Sequence, residues 1–159
     1  MWVKPASEAP EAVLHVARNM RDWDRREIFA TRPDDDVEVL AHAALNCGRI
    51  AWVSGLDEPI AAFGCAPMWP GVYSMWLFAT DDFHQIRFSV TKLIVRTIVP
   101  MMIDAGAHRL EARSMEGHTD AQRWLEVIGA RREATLAGYG REAQDFHVYA
   151  WPCNRGGVN

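Results

Sequence analysis

Apolar residues recur every three or four positions in three segments before Cys47, which is the spacing of amphipathic helices. The first stripe follows a short predicted strand at 2–4 and comprises Val13, Val16, Ala17 and Met20. Asp24 and Glu27 match a capping box and predict that a second helix begins at Asp24. A third helix should follow the acidic run at 34–36, because carboxylates favour a helix N-terminus. The pattern therefore predicts one strand and three helices in this part of the chain.

After the third helix the pattern changes to that of strands. Two apolar runs, at 50–54 and 60–65, flank the turn sequence GLDEP and predict a hairpin. Further strands are predicted at 72–80 and 108–114. Between these two strands, apolar residues at helical spacing predict one long helix over 83–105.

The clearest local signal lies near the end of the chain. Thr119 and Gln122 match a T-x-x-Q capping box, and Gly129 ends the helix that this box predicts. The apolar stripe of that helix comprises Ala121, Trp124, Leu125 and Ile128. Two more strands are predicted on either side of a turn that contains Gly140.

The order of these elements predicts an α/β (α+β) fold. We expect a mixed, mostly antiparallel sheet of six to seven strands with helices on both faces. The strands on either side of the long helix should run parallel, because a right-handed helical crossover joins them. Pro100 removes one backbone donor from that helix and should bend it near Arg96.

Length and charge limit the classes of function. The 159 residues fit one domain, which we assign to 1–151, with a C-terminal tail at 152–159. The formal charge of −4 predicts neither nucleic acid nor an anionic membrane as a partner. The apolar stretch at 93–103 is too short to cross a bilayer.

The three cysteines form no CxxC pair, and the N-terminal sequence has no secretory pattern. We therefore expect the chain to be made in a reducing cytoplasm and to stay there.

Nearly the whole chain resembles the GCN5-related N-acetyltransferase (GNAT) family. The resemblance is best in the segment HTDAQRWLEVIGARREA, where Ala121, Trp124, Gly129 and Glu133 fit the pattern of the family's last helix and the strand after it. Three positions depart from that pattern. His118 replaces an asparagine, Ala130 replaces a phenylalanine, and Leu125 stands where the family often has a tyrosine that protonates the departing thiolate.

Two longer runs are similar to a phage-encoded branch of this fold. They are MWLFATDDF and RREATLAGYGREAQDFHVYAW, and the branch includes small internal virion proteins of short-tailed bacteriophages. The resemblance implies a structural protein made in the host cytoplasm and located in the virion. Its partners would be other virion proteins or a second copy of itself.

In the GNAT family the turn into the long helix carries a Q/R-x-x-G-x-G/A motif, whose backbone amides bind the pyrophosphate of acetyl-CoA. The family's usual spacing, counted back from Gly106, places Ile86, Ser89 and Thr91 at the marked positions of the motif. None of the three matches it. Arg87 adds a positive charge, and the two hydroxyl groups are possible phosphate ligands.

The resemblance also implies a gap between the strands at 72–80 and 108–114 that would admit the pantetheine arm, with backbone hydrogen bonds from the first of them. Asp81 and Asp82 add negative charge at the start of the helix and would repel a pyrophosphate. We therefore expect no cofactor, and acetyl-CoA only if the chain is an enzyme. The candidate cofactor-binding residues are Phe78, Ala79, Arg87, Ser89 and Thr91.

Acyl transfer needs a base for the amine, and the candidates are His84, Glu111 and His118. Each also has a structural interpretation, as a first-turn residue, an exposed strand carboxylate and a residue preceding a helix. Cys65 is expected in the core, and no histidine pair has the spacing of metal ligands.

Three hypotheses follow from these observations. The first is a non-catalytic GNAT-like component of a phage particle, in its internal core or its portal and ejection region. The alternative is an acyl-CoA-dependent N-acetyltransferase that acts on a host protein or a small amine. A third is a non-catalytic binder of a small molecule that uses the same gap, since a fold alone does not decide function.

Overall fold

The computed structural model of the protein describes residues 1–151 and 153. These residues form seven strands and six α-helices. The strands are β1 Trp2–Pro5, β2 Ala51–Gly55, β3 Pro59–Trp69, β4 Val72–Ala79, β5 Arg109–Met115, β6 Arg131–Leu136 and β7 Phe146–Trp151. The helices are α1 Pro10–Arg18, α2 Asp22–Phe29, α3 Val37–Leu45, α4 Phe83–Leu93, α5 Val99–Asp104 and α6 Thr119–Val127.

The strands form one seven-stranded sheet in the order β1-β2-β3-β4-β5-β7-β6. The pairs β1–β2, β2–β3, β5–β7 and β6–β7 are antiparallel. The pair β4–β5 is parallel, with Val72, Tyr73 and Ser74 opposite Arg109, Leu110 and Glu111. The predicted mixed, mostly antiparallel sheet is therefore confirmed, including the parallel strands on either side of the long helix.

The chain forms two compact units, of which the first comprises 1–66 and 75–90. Its core is an apolar cluster that α1, α3 and the strands β2–β4 supply. Helix α3 begins at the acidic run as predicted, because the Asp36 carboxylate accepts hydrogen bonds from the backbone N–H groups of Glu38 and Val39 at 2.8 and 3.2 Å. Members of the core include Val13, Val16, Ala17, Leu40, Ala41, Val53, Ala62 and Phe78.

The second unit comprises 67–74 and the chain from residue 91 onward. Trp124 and Leu125 on α6 are buried, as the apolar stripe predicts. The indole of Trp124 donates a 2.8 Å hydrogen bond to the hydroxyl oxygen of Thr91. At the end of the same helix, the indole of Trp151 donates to the carbonyl of Ile128 at 2.9 Å. Two tryptophans thus combine apolar burial with a satisfied polar group.

Strand β6 is the last strand of the sheet order, and its residues are exposed except for half-buried Leu136. It pairs with β7, and the register shifts between Arg132 and Ala134. Its exposed side chains include Arg131, Arg132 and Glu133.

Both predicted capping boxes are wrong. Helix α2 begins at Asp22, so Asp24 lies inside the helix, where it is buried. The residue before α6 is His118, and the Gln122 side chain donates to the carbonyl of Met115 at 2.9 Å instead of closing a box with Thr119. In each case the polar side chain forms a hydrogen bond with a backbone group outside the helix.

The predicted long helix over 83–105 has three parts. A π-helical segment at Ile94–Ile98 separates α4 from α5, and Pro100 lies in the first turn of α5. The π-helical segment includes Arg96, where we expected a bend. Pro100 explains the irregularity, because it has no N–H to donate to the carbonyl one turn earlier.

Apart from Cys153, the predicted tail at 152–159 lies outside the described residues, and the single domain at 1–151 stays a prediction. Within the described part of the chain, no helix is both long and apolar enough to span a bilayer.

The packing of α6 can be tested with Trp124→Ala. We expect the free energy of unfolding to fall by about 3–5 kcal/mol, because the change leaves a cavity and removes a hydrogen bond. Urea denaturation measures this loss. Thr91→Val is the matched control that removes the hydroxyl group but leaves the indole in place, and it should cost about 1 kcal/mol. A loss below about 1 kcal/mol for Trp124→Ala would contradict the burial of this side chain.

Candidate functional site

The end of β4 and the start of α4 form the region to which the resemblance assigns the cofactor, and both lie in the first unit up to Val90. The connection between them is only three residues long, Thr80 to Asp82. The N–H of Thr80 donates to the carbonyl of Ile60 at 2.8 Å, and the N–H of Phe83 donates to the carbonyl of Thr80 at 3.1 Å. The turn is therefore tight and internally bonded.

The residues expected at the phosphate motif lie inside α4 and not in the turn. Ile86 is buried, and Ser89 and Thr91 are half-buried farther along the helix. Amides in a helix interior donate to the preceding turn, so only the first four N–H groups of a helix are available to an anion. Ser89 and Thr91 lie beyond those four groups, because α4 begins at Phe83, and their role as cofactor ligands stays a prediction.

The first turn of α4 is also poorly suited to a pyrophosphate. Asp81 and Asp82 are both exposed there and add negative charge. The carbonyl of Asp82 accepts the N–H of Gln85 at 2.9 Å, and its carboxylate accepts the side-chain amide of Gln85 at 2.8 Å. Arg87 is half-buried in the second turn.

The backbone of Ala79, the last residue of β4, is fully engaged. Its N–H donates to the carboxylate of Asp24 at 2.9 Å, and its carbonyl accepts the N–H of Arg21 at 2.8 Å. Phe78 is buried and stacks on Trp76, with ring centroids 5.6 Å apart. Ala79 therefore has neither group of its backbone free for the pantetheine arm that the resemblance implies.

Half-buried Arg21 and buried Asp24 form an ion pair at this strand end that the sequence analysis missed. The guanidinium Nη2 donates to Oδ1 at 2.8 Å, and Nε donates to Oδ2 at 3.1 Å. The guanidinium also lies over the ring of Phe83, 4.9 Å from its centroid. The R-x-x-D spacing was a signal for the pair itself, since residues three apart face each other on a helix.

Glu111, a candidate base, lies on β5 in the second unit and is 6% exposed. One of its oxygens accepts from Arg109 at 2.7 Å and the other from Arg113 at 2.8 Å. Arg109 also donates to Glu133 at 2.8 Å, and these two carboxylates raise the pKa of its guanidinium. Because both oxygens of Glu111 bind cationic donors, its carboxylate is a salt-bridge partner and is poorly placed to take a proton.

The two histidine candidates lie at the starts of two different helices. His84 is exposed in the first turn of α4, with Nδ1 3.1 Å from the carbonyl oxygen of Asp81. His118 is buried in the second unit, and its N–H donates to the carbonyl of Met115. His84 and His118 belong to different units. At the position of the family's tyrosine, Leu125 is buried and has no proton to give.

Nucleophiles and metal ligands add no alternative chemistry. Cys65 is buried as predicted, and burial, helped by nearby Cys47, raises its pKa to about 12. A thiol with so high a pKa is a poor nucleophile at neutral pH. Among the described residues, no group of three or more histidine, cysteine or acidic side chains could hold a metal ion.

Several solved structures that this chain resembles are acetyltransferases. Ribosomal-protein-S18-alanine N-acetyltransferase from Escherichia coli superposes with a TM-score of 0.69 at 14% identity, over 99% of this chain and 97% of that one. The chain has a GNAT-like acetyltransferase fold. Spermidine N-acetyltransferase from Vibrio cholerae, solved as a variant, gives 0.65 at 13% identity over 96% and 95% of the two chains. A GNAT-family acetyltransferase from Bacillus anthracis gives 0.68 at 17% identity over 95% and 93%.

These likenesses establish the fold, and at such low identity they establish nothing finer. No protein-family model and no curated sequence matches the chain. Acetyl-CoA, which the fold implies, does not fit the residues in the first unit. Ala79 is satisfied by Arg21 and Asp24, and the start of α4 is acidic and lacks the glycines.

The role of Glu111 can be tested with Glu111→Gln. We expect the free energy of unfolding to fall by about 2–3 kcal/mol, because two guanidinium groups lose their charged acceptor. Chemical denaturation at pH 7 measures the change. Glu133→Gln is the matched control, since that carboxylate also binds Arg109 but is half exposed, and it should cost less than about 1 kcal/mol. Equal losses of unfolding free energy for both variants would contradict the conclusion that Glu111 stabilises the two arginines more than Glu133 does.

Proposed function

We propose that this chain uses its GNAT-like fold to bind other proteins and does not transfer acyl groups. The observation that carries the proposal is the hydrogen bonding of the Ala79 backbone. Its N–H donates to Asp24, and its carbonyl accepts from the N–H of Arg21. A strand end whose backbone is already satisfied gains nothing by binding a thioester arm, because each new hydrogen bond would replace an existing one.

The catalytic candidates support the same proposal. Glu111 is bound on both oxygens by arginines, and Leu125 replaces the residue that would protonate a thiolate. The phosphate end is also unfavourable, because Asp81 and Asp82 precede the first turn of α4. Different residues therefore make the general base, the general acid and the phosphate-binding turn each poorly suited to acetyl transfer.

The finer proposal is an internal structural component of a phage particle. It rests on the resemblance of MWLFATDDF and of the run at 131–151 to the phage-encoded branch, and on sequence alone. Its partners would be other virion proteins or a second copy of the chain.

Mass spectrometry of purified particles tests this finer proposal. If the chain is a component of the particle, it should be found there at a fixed ratio to the other particle proteins. Particles washed in high salt are the control for adsorbed protein. Detection only in the cytoplasm of infected cells would contradict the proposal.

An acyl-CoA-dependent N-acetyltransferase acting on a host protein or a small amine is the second candidate. The comparisons favour it over a structural role, since the solved structures named above are acetyltransferases that match nearly the whole chain. Under this proposal Ala79 would have to exchange Asp24 for the cofactor, and Phe78, Arg87, Ser89 and Thr91 remain its proposed cofactor-binding residues.

Calorimetric titration with CoA and acetyl-CoA separates the two candidates. For a binding protein we expect no saturable heat at millimolar ligand, because the strand end is closed and the helix end is acidic. The Escherichia coli enzyme named above, titrated in parallel, is the positive control. Micromolar affinity, or acetyl transfer that Arg87→Ala abolishes, would support the enzyme and contradict our first proposal.

A further inference from the structure

Asp24 is an acidic side chain with an unusual position. It lies in the first turn of α2 and is only 4% exposed, yet it reaches a backbone group 55 residues away in the sequence. Burial of a carboxylate is costly unless charged or strongly polar donors surround it. Its surroundings therefore have to supply those donors.

At least three donor groups of the described residues converge on the Asp24 carboxylate. They include Nε and Nη2 of Arg21, at 3.1 and 2.8 Å, and the N–H of Ala79 at 2.9 Å. A guanidinium that grips both carboxylate oxygens is the strongest arrangement that a protein offers to this group. Together with the backbone amide it supplies charged and neutral donors to both oxygens of one carboxylate.

These donors have anchors other than Asp24. The backbone N–H of Arg21 is bonded to the carbonyl of Ala79 at 2.8 Å, and its guanidinium lies over the ring of Phe83. Ala79 is held in place as the end of β4, and the next residue, Thr80, is bonded to Ile60. The donors should therefore stay close to their positions when the carboxylate is removed.

We propose that Arg21 and the amide of Ala79 form a carboxylate-binding site, which the chain fills with its own Asp24. The site would accept a small carboxylate such as acetate once the Asp24 side chain is gone. The inference extends the proposed function, because an internal ligand on Ala79 excludes any external acyl carbonyl from the same N–H.

The start of α2 carries two aspartates, and only Asp24 binds at this site. Arg21 directly precedes α2 and Asp24 lies in its first turn, three residues later, so the ion pair is local in the sequence. Asp22, two residues before Asp24, is exposed and pairs with Arg26 instead. The same helix thus offers a carboxylate that fills the site and one of equal charge that does not.

Chemical rescue of Asp24→Ala tests the inference. We expect this variant to melt at a lower temperature than the unaltered chain in sodium chloride. Sodium acetate at equal ionic strength and pH should raise its melting temperature in a saturable way, by about 2–4 °C at about five times the half-saturating concentration. The unaltered chain should show no such difference between the salts.

Two variants make the result specific. Asp22→Ala removes the same charge from the exposed side of α2 and should respond to acetate no more than the unaltered chain. Asp24→Asn removes the charge but keeps the site filled, so acetate should not rescue it either. Rescue confined to Asp24→Ala supports the site, whereas an equal response of all three variants would overturn it.

Two further outcomes are also decisive. If Asp24→Ala does not fold in chloride, refolding in acetate replaces the melting experiment, and an equal soluble yield in both salts would overturn the inference. Binding of acetyl-CoA by the unaltered chain would contradict the proposed function alone, since acetate rescue is scored on stability in the absence of CoA.

Discussion

The hydrogen bonds at the end of β4 are the constraint on which the first unit depends. Within the described residues, the pairing of β4 with β5 ends at Ser74, but β4 continues to Ala79. A buried strand end with unpaired backbone groups would cost several kcal/mol, so those groups need partners. Arg21 and Asp24 supply them, and α2 is thereby tied to the strand by both its backbone and a side chain.

The period of the apolar residues was enough to predict most of the fold. Burial requires one face of each helix to be apolar, so the stripe with Trp124 and Leu125 predicts the core-facing side of α6. Local polar patterns were less informative. Asp24 and Gln122 both matched capping boxes, but Ala79 and Met115 take their side chains, and no local rule includes such distant partners.

The candidate site was predictable only in part. Arg109, Glu111 and Arg113 alternate along one strand, which places them on one face, so their ion pairs follow from the strand alone. The link between Asp24 and Ala79 could not be predicted, because it depends on how α2 meets a strand end 55 residues later. The family spacing carried no information on where α4 begins, so it could not show that Ser89 lies inside this helix.

The exposed edge strand β6 has a consequence for the behaviour of the protein in concentrated solution. A free strand edge is a template on which other chains can add strands and aggregate. Here the edge carries Arg131, Arg132 and Glu133, and its register shift breaks the regular ladder. Charged side chains and a bulge are the two devices that keep such an edge from recruiting further strands, so this sheet is protected against fibre-like growth at its open end.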